Sequence, residues 1–139
     1  PGKDIIFDKE QMLSFEGDTG PYLQYTYARI CSIFRKLEKE VILSKDTQAE
    51  FSEQEKQLIK KVTFFKYNCK QAWETRKPNL LSSYLFELAQ EFNSFYANHP
   101  IFSADSPETK LMRVKLTKIV QTTLRQGLGL LGIKPVSEM

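Results

Sequence analysis

The sequence predicts an all-α fold, a single-domain irregular helical bundle. Three observations carry that expectation. Apolar residues recur every three or four positions through most of the chain, the repeat of helices that bury one face. Strict apolar–polar alternation, the mark of a half-buried strand, is absent. Serine or proline stands where several of these segments begin, the residues that cap or open helices. At 139 residues the chain is long enough for one domain with a sizeable core. Its 41% hydrophobic content excludes compositional disorder.

The first element expected is a short helix from Asp8 to Phe15, with Asp8 as N-cap. Asp18, Thr19 and Gly20 then form a loop, and Pro21 occupies the first helical position. Its missing N–H is unpaired there in any case, and its φ is already helical. The long helix runs from Pro21 to about Leu43. At roughly 100° per residue, Leu23, Tyr27, Ile30, Phe34, Leu37 and Val41 share its core face. The polar run from Ser44 to Phe51 breaks the pattern. Ser52 and Glu55 then form a capping box, each side chain serving the other's backbone N–H. That helix runs to about Phe65, with Leu58, Ile59 and Val62 inside.

A further helical piece from Lys66 to Arg76 takes Trp73 as its anchor. Pro78 and Asn79 restart the chain. Leu81, Tyr84, Leu85, Leu88, Phe92 and Phe95 form a wide apolar stripe to about Asn98, and Pro100 ends it. Ser106, Pro107 and Glu108 open the last helix, which buries Leu111, Met112, Leu116, Ile119, Val120 and Thr123. Gly127, Gly129 and Gly132 either weaken its end, at about 1 kcal/mol per interior glycine, or permit a close backbone approach.

The functional signal sits on the flanks of these helices. Tyr22, Tyr25, Arg29 and Lys36 cluster roughly 120° from the core face of the long helix. Aromatic faces stack on unpaired bases, and arginine supplies a phosphate partner and a flat stacking plane. Lys36 adds a point charge suited to phosphate. Asn93 and Tyr96 stand off the stripe of the later helix in the same way, beside Phe86 and Ala89. An asparagine amide both donates and accepts, so it can address a base edge. Lys115, Lys118 and Arg125 line a polar side of the last helix and are candidate phosphate contacts. Each of these sets also admits a structural reading: two-faced helix packing for the tyrosines and Asn93, and a solvated face for the lysines.

Other chemistry is not signalled. The net charge of +3 permits a polyanionic partner without demanding one. Cys31 and Cys69 are too few for a disulfide framework and suit a reduced, cytoplasmic setting. His99 has no evident nucleophile or carboxylate beside it and no zinc-ligand spacing with the cysteines. No catalytic residue and no metal ligand is assigned. No phosphate-cradling glycine loop and no membrane-spanning run occurs.

Three blocks carry a family resemblance: EGDTGPYLQYTYARICSI from Glu16, SSYLFELAQEFNSFYANHPI from Ser82, and LRQGLGLLGIKPVSEM from Leu124. In this order they resemble the C-terminal anticodon-binding domain, of DALR type, of arginyl-tRNA synthetase. The resemblance implies the class Ia synthetase type of helical bundle over residues 1–139, with 1–20 as a lead-in from the junction with a catalytic domain. It implies an excised part of a longer arginine-tRNA ligase, a cytoplasmic enzyme that joins arginine to its tRNA using ATP and magnesium. Signature motifs of that ATP site are missing here, so this chain is expected to be inactive alone and to carry no cofactor.

The partners implied are tRNA (arginine isoacceptors) and the catalytic domain of the same polypeptide, with no membrane; the chain is expected to be a monomer. The anticodon pocket implied consists of Tyr22, Tyr25, Arg29, Asn93, Tyr96 and Met139. Asp18 and Gly20 belong to the resembling stretch and are expected to set the helix entry. Two positions depart from the family pattern. Tyr27 stands where histidine is frequent, and Glu138 where arginine is common. A carboxylate near an RNA loop is repulsive unless a neighbouring Lys or Arg takes it. Two alternatives remain open at this point: a helical protein-interaction module without an RNA role, and the equivalent domain of the related cysteinyl enzyme.

Overall fold

The computed structural model describes residues 8–12, 19–37 and 50–139. Six helices occur among them: α1 (Lys9–Met12), α2 (Gly20–Leu37), α3 (Glu53–Thr63), α4 (Phe65–Thr75), α5 (Pro78–Asn98) and α6 (Pro107–Leu130). No strand is present among the described residues. Expectations for Asp18, for residues 13–15, for the continuation of α2 through Val41 to Leu43, and for the polar break at 44–49 fall outside the described residues.

The helix starts follow the capping chemistry of the sequence. Asp8 Oδ1 accepts from Glu10 N–H at 3.0 Å. Thr19 Oγ1 accepts from Tyr22 N–H at 3.3 Å, so Thr19 closes the first turn of α2. Ser52 and Glu55 form the expected capping box, with distances of 2.8 and 3.2 Å. Ser106 Oγ accepts from Thr109 N–H at 3.1 Å, and Pro107 follows it.

Cross-helix contacts set the direction of each rod. Phe34, Cys31 and Tyr27 of α2 meet Lys118, Gln121 and Arg125 of α6, so these two run antiparallel. Tyr22 meets Phe86 and Arg29 meets Asn93, so α2 and α5 run parallel. Gln54 reaches Ser94 while Lys61 reaches Glu87, which lays α3 antiparallel along α5. The α4–α5 connection turns on Arg76, a non-glycine residue at φ 55°. Four rods therefore alternate in direction, the second being α3 and α4 broken at Phe64. Their centre is built from Leu23, Ile30, Ile33, Leu58, Leu85, Leu88, Phe92, Phe95, Val120, Leu124 and Leu128.

Four expectations need adjustment, one of them in α6, where Ile119 faces solvent rather than the core. The buried line of α2 is Leu23, Thr26, Ile30, Ile33 and Leu37; Tyr27 and Phe34 sit half-buried at its margin, towards α6. Trp73 is not an anchor: it is 85% exposed, and α4 packs through Phe65, Cys69 and Ala72 instead. Trp73 lies one residue beyond that line, a turn of about 100° that carries it into solvent. Of the glycines, Gly127 is the close approach. A Cβ there would lie 2.5 Å from a Leu85 methyl, so Gly127 lets α6 close on α5. Gly132, at φ 74°, makes the reversal after α6, with Ile133 N–H donating to Leu128 O at 2.9 Å.

Candidate nucleic-acid interface

That reversal decides the shape of the site. It sends the last residues back alongside α2. Gln24 Nε2 donates to Lys134 O at 2.9 Å, and Arg35 Nη1 donates to Ser137 O at 3.0 Å. The tail thus arrives beside the α2 face that carries Tyr25 and Arg29. There a cavity of about 530 Å³ opens, lined by Tyr25, Ala28, Arg29, Ser32, Ile33, Arg35 and Lys36 of α2, Tyr96 of α5, and Glu138 and Met139 of the tail. Five side chains singled out in the sequence meet in it: Tyr25, Arg29, Lys36, Tyr96 and Met139.

The aromatic and cationic groups are held in fixed relation. The Arg29 guanidinium lies over the Tyr25 ring, 5.1 Å from its centroid, and its Nη2 donates to Tyr25 Oη at 3.2 Å. Its Nη1 donates to Asn93 Oδ1 at 3.0 Å. Tyr96 is stacked on Phe92 with an interplanar angle of 12° and ring centroids 6.2 Å apart. Tyr25 and Met139 are exposed.

Tyr22 and Asn93 lie behind this surface and are absent from the cavity lining. Tyr22 stacks on Phe86, with centroids 6.3 Å apart. Asn93 Nδ2 donates to Tyr22 Oη at 2.9 Å and to Thr26 Oγ1 at 3.1 Å. Both amide hydrogens and one carbonyl lone pair are therefore spent inside the protein. Asn93 thus stands half-buried behind the cavity as a bracket that aims Arg29.

The other cations divide similarly. Lys36, Lys115 and Arg125 are exposed. The Lys118 ammonium lies 5.0 Å from the Phe34 ring centroid and donates to Gln121 Oε1 at 2.8 Å. Arg35 was not singled out in the sequence, yet it both lines the cavity and fixes the tail. Its only signal was Glu138, an acid in a tail that needs a basic neighbour. Arg35 Nη1 lies 3.6 Å from Glu138 Oε1, which supplies that neighbour. Ser32 was also missed, although it falls on the same helical face, seven residues after Tyr25.

Elsewhere the chemistry is structural. His99 does have a hydroxyl partner, contrary to expectation: its Nε2 lies 3.0 Å from Ser52 Oγ. That hydroxyl already caps α3, and His99 Nδ1 is buried without a partner, so no carboxylate orients the ring as nucleophile activation requires. Burial raises the pKa of the Cys69 thiol, keeping it protonated. No cluster of three or more His, Cys, Asp or Glu suited to a metal occurs among the described residues. A broader groove of about 1100 Å³ lies at the opposite end of α5, bordered by Trp73, Pro78, Leu81, Leu130 and Leu131.

Comparison with known proteins adds a family. The model of the DALR anticodon binding domain matches residues 23–139. An arginine-tRNA ligase of Mannheimia succiniciproducens is 43% identical over 137 residues, covering 98% of this chain and 24% of the relative. An arginine-tRNA ligase of Azotobacter vinelandii is likewise 43% identical, over 136 residues, with the same coverage of 98% and 24%. Among solved structures, Thermus thermophilus arginyl-tRNA synthetase superposes on 100% of this chain and 24% of its own, with a TM-score of 0.87 at 34% identity. The Plasmodium falciparum arginyl-tRNA synthetase gives a TM-score of 0.83 at 30% identity, over 99% of this chain and 24% of its own. The chain thus spans about a quarter of the length of the relatives it matches.

Proposed function

The chain belongs to the DALR anticodon-binding domain family, and from that premise we propose that it selects tRNA for an arginine-tRNA ligase by holding anticodon-loop bases in the cavity beside α2. The observation that carries this reading is the convergence of Tyr25, Arg29, Tyr96 and Met139 on one cavity from three separate parts of the chain. Residues 1–139 act as the anticodon-binding domain, with 1–20 joining it to a catalytic domain in the same polypeptide. The relatives reported above are arginine enzymes, which favours arginine tRNA over cysteine tRNA.

Loop bases are the natural ligand, because their faces and edges are free, unlike those within an A-form stem. Tyr25 and Tyr96 supply stacking faces. Arg29, set by Asn93 and Tyr25, supplies a planar cation at their side. The Met139 thioether adds an adaptable apolar wall. Tyr22 and Asn93 keep this surface in shape from behind. Lys36, Lys115, Lys118 and Arg125 supply phosphate contacts that position the stem without specifying sequence. Lys118 does so only by giving up its seat on Phe34.

The parent enzyme joins arginine to tRNA in the cytoplasm, with ATP and magnesium bound outside this chain. The described residues here do not fit that group: they offer neither a carboxylate cluster for the ion nor a phosphate-cradling loop. This chain contributes selection, and it acts as a monomer.

Stacking on one aromatic side chain is worth about 1–3 kcal/mol. Arg29→Ala and Tyr96→Ala are therefore expected to weaken binding of arginine tRNA by about ten- to a hundredfold each. A filter-binding or anisotropy titration measures this. Wild-type affinity in both variants would remove the cavity from RNA recognition.

A further inference from the structure

Arg35 handles two groups of the returning tail with one nitrogen. Its Nη1 donates to Ser137 O at 3.0 Å and lies 3.6 Å from Glu138 Oε1. Gln24 fastens the start of the same tail through Lys134 O. Arg35 and Glu138 both border the cavity, so this clasp forms part of its rim. The rim cations are not equivalent. Arg29 is committed to Asn93 and Tyr25. Arg35 stands at the surface, 46% exposed, with the carboxylate of Glu138 beside it.

A bare guanidinium at the mouth of an RNA pocket binds any phosphate, because phosphate contacts position a nucleic acid without identifying it. A carboxylate beside it cancels that attraction at short range. We propose that Glu138 is a specificity-determining residue: by occupying Arg35 it denies generic phosphates one of the two exposed cations at the cavity mouth, Lys36 being the other, so that RNA is held more through the bases that fill the cavity. The inference rests on the anticodon-binding reading above.

The asymmetry between RNAs follows from the geometry. A loop that seats its bases in the cavity uses the tail as a wall, and Arg35 keeps that wall in place only while it holds Ser137 and Glu138. Such a loop gains little when Arg35 is freed. An RNA that does not fit makes phosphate contacts alone and gains a new one. Removing the Glu138 charge should therefore help the wrong RNA and not the right one, which is specificity obtained by repulsion.

The test compares the wild-type chain, Glu138→Gln, and the double variant Arg35→Gln/Glu138→Gln. Each is titrated with arginine tRNA and with the same tRNA substituted in its anticodon loop, over a salt series. Glu138→Gln is expected to tighten the substituted tRNA by about two- to fivefold. It should also steepen that RNA's log–log salt slope by about 0.7, one added phosphate contact on a single strand. Intact arginine tRNA should not tighten. In the double variant the slope for the substituted tRNA should return to its wild-type value.

Equal tightening of both RNAs by Glu138→Gln would reduce the residue to a general charge effect and overturn the proposal. So would a double variant that keeps the steeper slope, or no change in any variant. Failure of the anticodon reading itself is separately visible: it is a wild-type chain that binds both RNAs alike, and it removes the proposal too.

Discussion

Asn93 does its work by facing inward. Its amide joins Arg29, Tyr22 and Thr26, three side chains of α2, and so ties the cation of the cavity to α5. Removing it leaves these groups without that partner in a half-buried place. Asn93→Ala is expected to cost about 1–3 kcal/mol of stability and to weaken tRNA binding as well, because Arg29 loses the bond that aims it. Thermal unfolding and a binding titration on one sample check this; full retention of both would show that the network does not set Arg29. At this scale the sequence was informative where helical spacing sufficed. Tyr25, Arg29 and Lys36 share a face by arithmetic, and Tyr96 stands off its stripe by the same arithmetic. Asn93 was placed correctly, but its inward hydrogen bonds to residues more than sixty positions away left no local trace. Arg35 was overlooked because an exposed arginine on a helix is common until its partner is known.

At the scale of elements, α3 and α6 are joined by a pair of charges inside the protein. Glu55 is 1% exposed, caps its own helix through Ser52 N–H, and accepts from Arg113 Nε at 2.9 Å. Arg113 also donates to Pro100 O at 2.9 Å. Burial alone would raise the Glu55 pKa; the hydrogen bonds from Ser52 and Arg113 outweigh it and leave the pKa below its ordinary value of 4.5. A lowered folded pKa gives stability that is complete above the unfolded value and is lost as pH falls through the folded one. Glu55→Gln should therefore be less stable than wild type by about 3–5 kcal/mol at pH 7, the usual cost of breaking one side of a buried pair. The gap should narrow as the pH drops below 4.5. Urea unfolding at pH 7 and at pH 3 measures it, and a gap that does not change with pH would contradict the assignment. The sequence showed Glu55 only as half of a capping box, since Arg113 lies 58 residues away. Trp73 was misplaced for a related reason. A 3.6-residue repeat names a face, and in a short helix such as α4 the neighbouring face fits nearly as well. Backbone closeness at Gly127 was visible as one of two options, and the Leu85 side chain decides it.

Across the whole molecule, the rods place two unlike openings at the two ends of α5, on the order of 25 Å apart along its axis. One is the cavity where α2, α5 and the tail meet; the other is the Trp73 groove. The parallel course of α2 and α5 puts Tyr25 and Tyr96 on the lining of one cavity, and the reversal at Gly132 brings Met139 to it. The all-α class and most helix starts were legible, because caps and periodicity are local. The tail's return was not, because one glycine turn does not say where the chain goes next. The central claim is that this cavity selects tRNA by its anticodon loop. The most direct test is the affinity of the chain for intact arginine tRNA beside the same tRNA substituted in its anticodon loop and a cysteine tRNA, at two salt concentrations. The account predicts selective binding to the intact arginine tRNA, weakening steeply as salt rises. Equal, weak binding to all three RNAs would contradict it, leaving only the general attraction of a basic surface.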